Sequence, residues 1–232
     1  PQGILLKTIQ GETVRVMVET DMEPYLEYDF TYPEFFDFTT ADGVTLKGMI
    51  TLPWNFDEEK KYPIIINGYG LAGSQMAADW WGGRNYLWHQ YMAQNGHIIV
   101  SINNRQTGGR GKAFKNLGYR DLGKWLINDH IEAVNYLGKF PYADTNRVGV
   151  WGWSGGGYFT ALALTKGADY FTTGVSIAPV TDWRLYDTAY TERYMGLLSE
   201  NEAGYDTASV LTYIDQFKGK LLLVHGTGDD NV

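Results

Sequence analysis

The stretch Arg147-Val-Gly-Val-Trp-Gly-Trp-Ser-Gly-Gly-Gly-Tyr-Phe-Thr-Ala-Leu-Ala-Leu-Thr165 decides the fold. Arg147 to Trp151 read as a strand, and Tyr158 to Thr165 as a buried helix. Between them Gly152-Trp-Ser-Gly-Gly156 matches Gly-x-Ser-x-Gly. So short a motif is weak alone, but between a strand and a helix it has the setting of a nucleophile elbow. The physical reason is crowding. Serine occupies a tight, strained turn, and the residues two before and two after it face strand and helix backbone. Gly152 and Gly156 leave that space free. Ser154 then points its oxygen out of the sheet, and Gly155 offers a backbone N–H backed by the positive end of the helix dipole. A glycine-rich turn with an incidental serine is the competing reading, and the strand-to-helix context argues against it.

Outward from this segment, strands alternate with helices. Tyr62 to Asn67 and His97 to Ile102 are short apolar runs suited to strands buried on both faces. Phe171 to Ile177 and Lys220 to His225 extend the set, and Phe36 to Thr40 with Val44 to Leu52 flank Ala41-Asp-Gly43 as a hairpin. Helices are expected over about 79–93 and 121–138, the second with Leu126, Ile127, Ile131, Val134 and Leu137 at helical spacing. The expected architecture is α/β, a mostly parallel sheet with helices on both faces. Chemistry in such a sheet collects in loops beyond the carboxyl ends of the strands. Residues 1–36 differ: Val14 to Val18 alternate like a strand, and an acidic, aromatic stretch with Pro24 and Pro33 follows. They read as a linker or the trailing strands of a preceding domain, and 37–232 as the catalytic domain.

Composition narrows the function classes. With 19 Lys and Arg against 27 Asp and Glu, the net charge of -8 repels phosphate backbones, so nucleic acid is not an expected partner. Absence of cysteine excludes disulfides, thiolate metal sites and cysteine nucleophiles within these residues. No apolar run is long enough to span a membrane. No metal or cofactor is expected.

A nucleophilic serine needs a base, and the base an orienting carboxylate. In this architecture the chain order is Ser, then Asp or Glu, then His. Asp229 and Asp230 follow the apolar run 220–225 and so lie at the correct sheet edge. All four histidines, His89, His97, His130 and His225, precede Asp229. His225 is near enough in sequence to approach the aspartates, while His97 and His130 read as structural. The expectation is that the base lies beyond Val232, that the fold is incomplete at its C-terminus, and that the 232 residues alone are inactive.

These motifs resemble those of the prolyl oligopeptidase family, in particular its dipeptidyl peptidase IV branch. The likeness runs from about Phe36 to Val232. It is carried by Tyr69-Gly-Leu-Ala-Gly-Ser-Gln75, Thr107-Gly-Gly-Arg-Gly111, Gly152 to Tyr158, Ala178-Pro-Val180, Tyr190 to Gly196 and His225-Gly-Thr-Gly-Asp-Asp-Asn-Val232, in the expected order. The resemblance implies an α/β-hydrolase fold preceded by a propeller-like domain, and a serine peptidase acting on peptide substrates. It implies Asp229, not Asp230, as the triad acid, and Tyr69 as a side-chain oxyanion donor opposite the Gly155 N–H. It also implies a proline pocket of Val180, Trp183, Tyr186 and Tyr190, with Asn231 and Val232 beside it. Trp183, Tyr186 and Tyr190 stand at i, i+3 and i+7, which suggests one aromatic helix face. A periplasmic or extracellular location and a homodimer of the full-length protein are likewise implied by the family alone.

Three positions depart from the family pattern. Gly155 stands where a tyrosine is usual, Leu71-Ala72 replace Gly-Pro, and Gln106 replaces a glycine or near neighbour in the glycine-arginine loop. Loss of the ring at 155 is expected to enlarge the pocket and relax the preference for proline. The leading reading is release of dipeptides from peptide N-termini with Pro/Ala-type preference. An acylaminoacyl peptidase or esterase on the same scaffold, and a non-catalytic peptide-binding homologue, are the alternatives.

Overall fold

The computed structural model describes residues 3–19, 21 and 23–232. Its elements are β1 (Ile4–Lys7), β2 (Thr13–Val18), β3 (Glu34–Thr39), β4 (Thr45–Thr51), β5 (Tyr62–Asn67), α1 (Arg84–Gln94), β6 (Ile98–Asn103), α2 (Gly111–Lys115), α3 (Lys124–Leu137), β7 (Ala143–Trp153), α4 (Gly155–Leu164), β8 (Thr173–Ile177), α5 (Thr188–Met195), α6 (Glu202–Ala208) and β9 (Lys220–Val224), with five short 3-10 turns between them. β1 and β2 pair only with each other. Their apolar residues from Ile4 to Val18 are solvent-exposed, so this hairpin buries no core of its own.

Seven strands form the main sheet in the order β3-β4-β6-β5-β7-β8-β9. β3 and β4 are antiparallel, and β6, β5, β7, β8 and β9 run parallel. The apolar runs read from the sequence form these strands because both of their faces are covered. Ile64 pairs with Val148 and Ile66 with Val150, and all four are buried on the side of α3 and α4. The alternate residues Ile65 and Trp151 face α1 instead, which presents Trp88 and His89 to them. All ten residues of α4 are buried. A helix without a polar stripe can sit only in the interior, and α4 is the central support of the sheet.

The differences from expectation are local. α1 begins at Arg84, because Gly82 and Gly83 precede it and Gly83 takes φ 58° at the N-cap. β7 is longer than the 147–151 run and starts at Ala143. The short α2, α5 and α6 lacked periodicity long enough to read. β9 forms one edge of the sheet, and its Leu221 to Val224 are between 40% and 58% exposed.

Two buried histidines make the fold acid-sensitive. His130, in α3, bonds Leu126 O through Nδ1 at 2.6 Å and packs on Phe159 with ring centroids 4.1 Å apart. His89 packs edge-on against Trp151. Burial lowers both side chains to a pKa of about 4. The unfolded chain protonates its histidines near 6.5, so between pH 6.5 and about 4 the unfolded state binds more protons. Stability is therefore complete above about 6.5 and falls as pH drops toward 4, by a few kcal/mol for the pair. Urea unfolding from pH 7 to 5 should give a falling midpoint, with a shallower fall in His130→Gln. A midpoint independent of pH over that range contradicts this assignment.

Candidate active site

β7 ends at Trp153 and α4 starts at Gly155, leaving Ser154 alone in the turn with φ 57° and ψ -114°. A non-glycine residue held there costs about 1–3 kcal/mol. The turn is fixed from both sides: Ser154 N–H donates to Ile177 O at 2.8 Å, and Tyr158 N–H to Ser154 O at 2.9 Å. The flanking glycines are obligatory for the reason read from the sequence. A Cβ on Gly152 would lie 2.5 Å from Gly68 O and 2.6 Å from the Gly156 backbone, and one on Gly156 would run into Gly68 O.

Tyr69 follows β5 by two residues, so its phenol reaches the same sheet edge. Its pKa is raised by burial first and by Tyr186 next, and the neighbouring Ser154 hydroxyl partly offsets the rise. The phenol thus stays protonated at neutral pH and available as a donor beside Ser154. Gly155 is the first residue of the buried α4 and directly follows Ser154.

Trp183, Tyr186 and Tyr190 gather into one cluster, but not on one helix face. Trp183 lies in a 3-10 turn, Tyr186 is extended, and only Tyr190 belongs to α5. Asp182 and Asp187 cap the two short helices by accepting from Arg184 N–H and Tyr190 N–H, which breaks the single helix that the spacing suggested. The rings still meet. Trp183 stacks on Tyr190 at 5.6 Å, and Tyr186 stands edge-on to both at 6.0 and 5.7 Å. The Tyr190 pKa is raised by burial first and by the nearby Tyr69 next. Val180 and Val232 line a cleft together with Tyr186 and His225. Asn231 Nδ2 reaches Tyr186 Oη at 3.4 Å, tying the Asp229 loop to the aromatic cluster.

Asp229 Oδ1 accepts from Asn231 N–H and Val232 N–H, each at 3.0 Å. These bonds, and then His225, hold its carboxyl below the usual range, so it is ionised at neutral pH. His225 Nε2 lies 3.3 Å from Asp229 Oδ2 and 3.0 Å from Val232 O. Among the described residues, none of the four histidines hydrogen-bonds to Ser154. His97 bonds Met92 O, and His89 and His130 are the buried groups described above. No cluster of metal-ligating side chains occurs among the described residues, and no described helix is long and apolar enough to cross a membrane.

Two of the departures meet at one point. A Cβ on Gly155 would collide with Leu71 Cδ1, with Leu71 Cγ 3.0 Å and Tyr69 Cζ 3.1 Å away. Leu71 is 2% exposed and occupies the root of the space that a ring at 155 would enter. The two positions are therefore coupled: with leucine at 71, a side chain at 155 fits only if Leu71 shifts. Gly155→Ala should destabilise the protein by about 1–3 kcal/mol through overpacking. Combined with Leu71→Ala it should cost less than the sum of the single changes. Denaturant unfolding of the four proteins checks this, and strict additivity contradicts the coupling.

Sequence reasoning missed the support behind Tyr69. Arg105 is buried, forks onto Asp129 at 2.6–2.9 Å, pairs with Asp42, and lies 3.6 Å above the Trp125 ring. Asn104 and Gln106 flank it, and both donate to Gly70 O. These partners lie tens of residues apart, and no local pattern announces them.

The profile of the prolyl oligopeptidase family matches residues 85–232. A probable dipeptidyl peptidase 4 of Aspergillus flavus is 41% identical over 223 residues, covering 92% of this chain and 28% of that protein. A probable dipeptidyl-aminopeptidase B of Trichophyton verrucosum is 38% identical over 226 residues, covering 94% and 24%. The crystal structure of Porphyromonas gingivalis dipeptidyl peptidase 4 superposes with a TM-score of 0.93 at 34% identity, covering all of this chain and 33% of that one. The chain spans about a quarter to a third of the length of these relatives. Its parallel sheet, its elbow serine and its likeness to these proteins place it together with them: the chain has the α/β-hydrolase fold and belongs to the prolyl oligopeptidase family of serine peptidases.

Proposed function

We propose that these residues form the greater part of the active centre of a serine dipeptidyl peptidase, with Ser154 as nucleophile. The observation that carries this reading is the meeting of Ser154, on its strained turn, with the protonated Tyr69 phenol beside an aromatic cluster. Ser154 Oγ attacks the scissile carbonyl carbon, and its proton passes to a histidine. The oxygen that becomes negative accepts hydrogen bonds from Gly155 N–H and the Tyr69 hydroxyl. Collapse of the tetrahedral species breaks the C–N bond, the histidine returns the proton to the leaving amine, and an ester on Ser154 remains. Water then attacks that ester by the same steps in reverse order of partners. Asp229, kept ionised by two backbone N–H groups, holds the histidine ring in the required tautomer.

His225 meets Asp229 through Nε2, the nitrogen that a triad base turns toward serine, so we assign the base to a histidine outside these 232 residues. By themselves these residues should not hydrolyse Gly-Pro amides.

The substrate residue before the cleaved bond enters the box of Trp183, Tyr186, Tyr190 and Val180. A flat imino-acid ring or a small alanine suits such walls, where stacking and apolar burial replace directional bonds. Gly155 favours a second reading, a broader acylaminoacyl peptidase or esterase, since no ring closes the pocket from that side. Rates of the intact protein on Ala-Pro, Ala-Ala and Ala-Leu anilides with a free N-terminus, and on their N-acetylated forms, separate the two. The proposal expects hydrolysis of the free Ala-Pro and Ala-Ala compounds within about tenfold of each other, below the roughly 10–200-fold that a single methylene is worth in a closely fitted pocket. Preference for the acetylated forms overturns the dipeptidyl assignment, and strict proline selectivity overturns the relaxed pocket.

A further inference from the structure

Gln106 occupies a conformation that its side chain makes costly. Its φ is 81°, in the left-handed region that favours glycine, and it is one of four non-glycine residues with positive φ among the described residues. It is fully buried, and its Oε1 has no hydrogen-bond partner. A buried amide satisfied on one side only and a strained backbone are both unfavourable, and a glycine at this position would avoid both.

What the side chain gains is a set of bonds to the loop that carries Tyr69. Gln106 Nε2 donates to Gly70 O at 2.9 Å and to Leu122 O at 3.1 Å. Its backbone C=O accepts from Gly73 N–H at 3.2 Å, and its N–H donates to Phe114 O at 3.3 Å. Asn104 Nδ2 adds a second donor to Gly70 O at 3.0 Å. One residue thus holds both ends of the 70–73 segment, whose first peptide follows Tyr69 directly. The same segment carries Leu71, which packs against Gly155. Neither Gln106 nor Asn104 hydrogen-bonds to the serine or the phenol itself, so any effect on chemistry passes through the loop.

We propose that Gln106 is a positioning residue for Tyr69, a strained buried clamp that fixes the 70–73 loop so that the phenol meets the oxyanion. The inference rests on the oxyanion role of Tyr69 given above. A donor displaced by about 1 Å loses up to 100-fold in rate, so a clamp of this kind is visible in kcat.

The test is a double-mutant cycle in the intact protein with Gln106→Gly, Tyr69→Phe and the pair, read as kcat, KM and Tm on a Gly-Pro anilide. Glycine removes the side-chain bonds to Gly70 O and Leu122 O while fitting the backbone and keeping the backbone bond to Gly73. The expected result is a Tm equal to or above the parent's, kcat lower by about 10- to 100-fold, and KM within about threefold. In the Tyr69→Phe background the further loss should stay within about twofold, because the clamp acts through the phenol. A kcat within twofold of the parent for Gln106→Gly, or a full additional loss without the phenol, overturns the proposal. If Gln106→Gly does not fold, Gln106→Asn decides by the same criteria, being tolerant of the left-handed region and one methylene too short to reach Gly70 O. Absence of hydrolysis by the parent overturns the peptidase reading instead. The clamp is then judged by amide exchange across 70–73: exchange at least about tenfold faster in the variant supports it, and unchanged exchange overturns it.

Discussion

Replacing Ser154 by alanine in the intact protein is expected to lower kcat on a Gly-Pro anilide by about a millionfold, with KM little changed. The size follows from the way the serine, the histidine and the acid act as one unit: without an attacking oxygen, the remaining donors stabilise an intermediate that cannot form. The structure adds a control that separates lost chemistry from lost folding. Ser154 is held at φ 57°, which alanine tolerates no better than serine. Ser154→Gly should lose the same activity yet unfold at equal or higher temperature, because glycine accepts that backbone without strain. Steady-state kinetics and thermal unfolding of both variants check the pair of claims, and a loss of activity that tracks a loss of Tm contradicts them.

The second large effect belongs to Asp229. Asp229→Asn preserves an oxygen for the N–H groups of Asn231 and Val232, so the loop and its tie to Tyr186 should stay in place. In the proposed mechanism, what it removes is the charge that holds the histidine in its working tautomer. A fall in kcat of about 10⁴ is expected, with KM changed far less. Asp230→Asn, one residue away, should leave kcat within about threefold, since Asp230 makes none of these bonds. Equal losses at 229 and 230 contradict the choice between them.

Much of this site was legible in the sequence because its geometry is local. The elbow needs glycines at fixed offsets from Ser154, and the backbone contacts at Gly152 and Gly156 are the physical cause of that spacing. The parallel strands were legible because residues such as Ile64 and Val148 are buried between covering layers and so read as unbroken apolar runs. The aromatic stripe was legible only in part. Its three rings converge, but two aspartate caps divide the segment, where spacing alone suggested one continuous helix. The least legible feature was the scaffold behind Tyr69. Gln106 and Gly70 lie 36 residues apart and Arg105 and Asp129 lie 24 apart, and each pairing exists only once the sheet brings the loops together. Gln106 stood out in sequence as a departure from the glycine or near neighbour that the resemblance implied, and its φ of 81° is a backbone that favours glycine. The departure at Gly155 changed meaning in the same way: Leu71 takes the root of the space that a ring at 155 would enter.

The most direct test of the central claim is covalent. A dipeptidyl aryl phosphonate carrying proline at the reacting position, incubated with the intact protein, is predicted to leave one phosphonyl group on Ser154, found by peptide mass mapping. The same reaction on Tyr69→Phe should be slower by about 10²- to 10³-fold, since the phosphonyl oxygen uses the same donors as the oxyanion. No adduct under conditions where the protein is folded, or an adduct on any residue other than Ser154, would contradict the account.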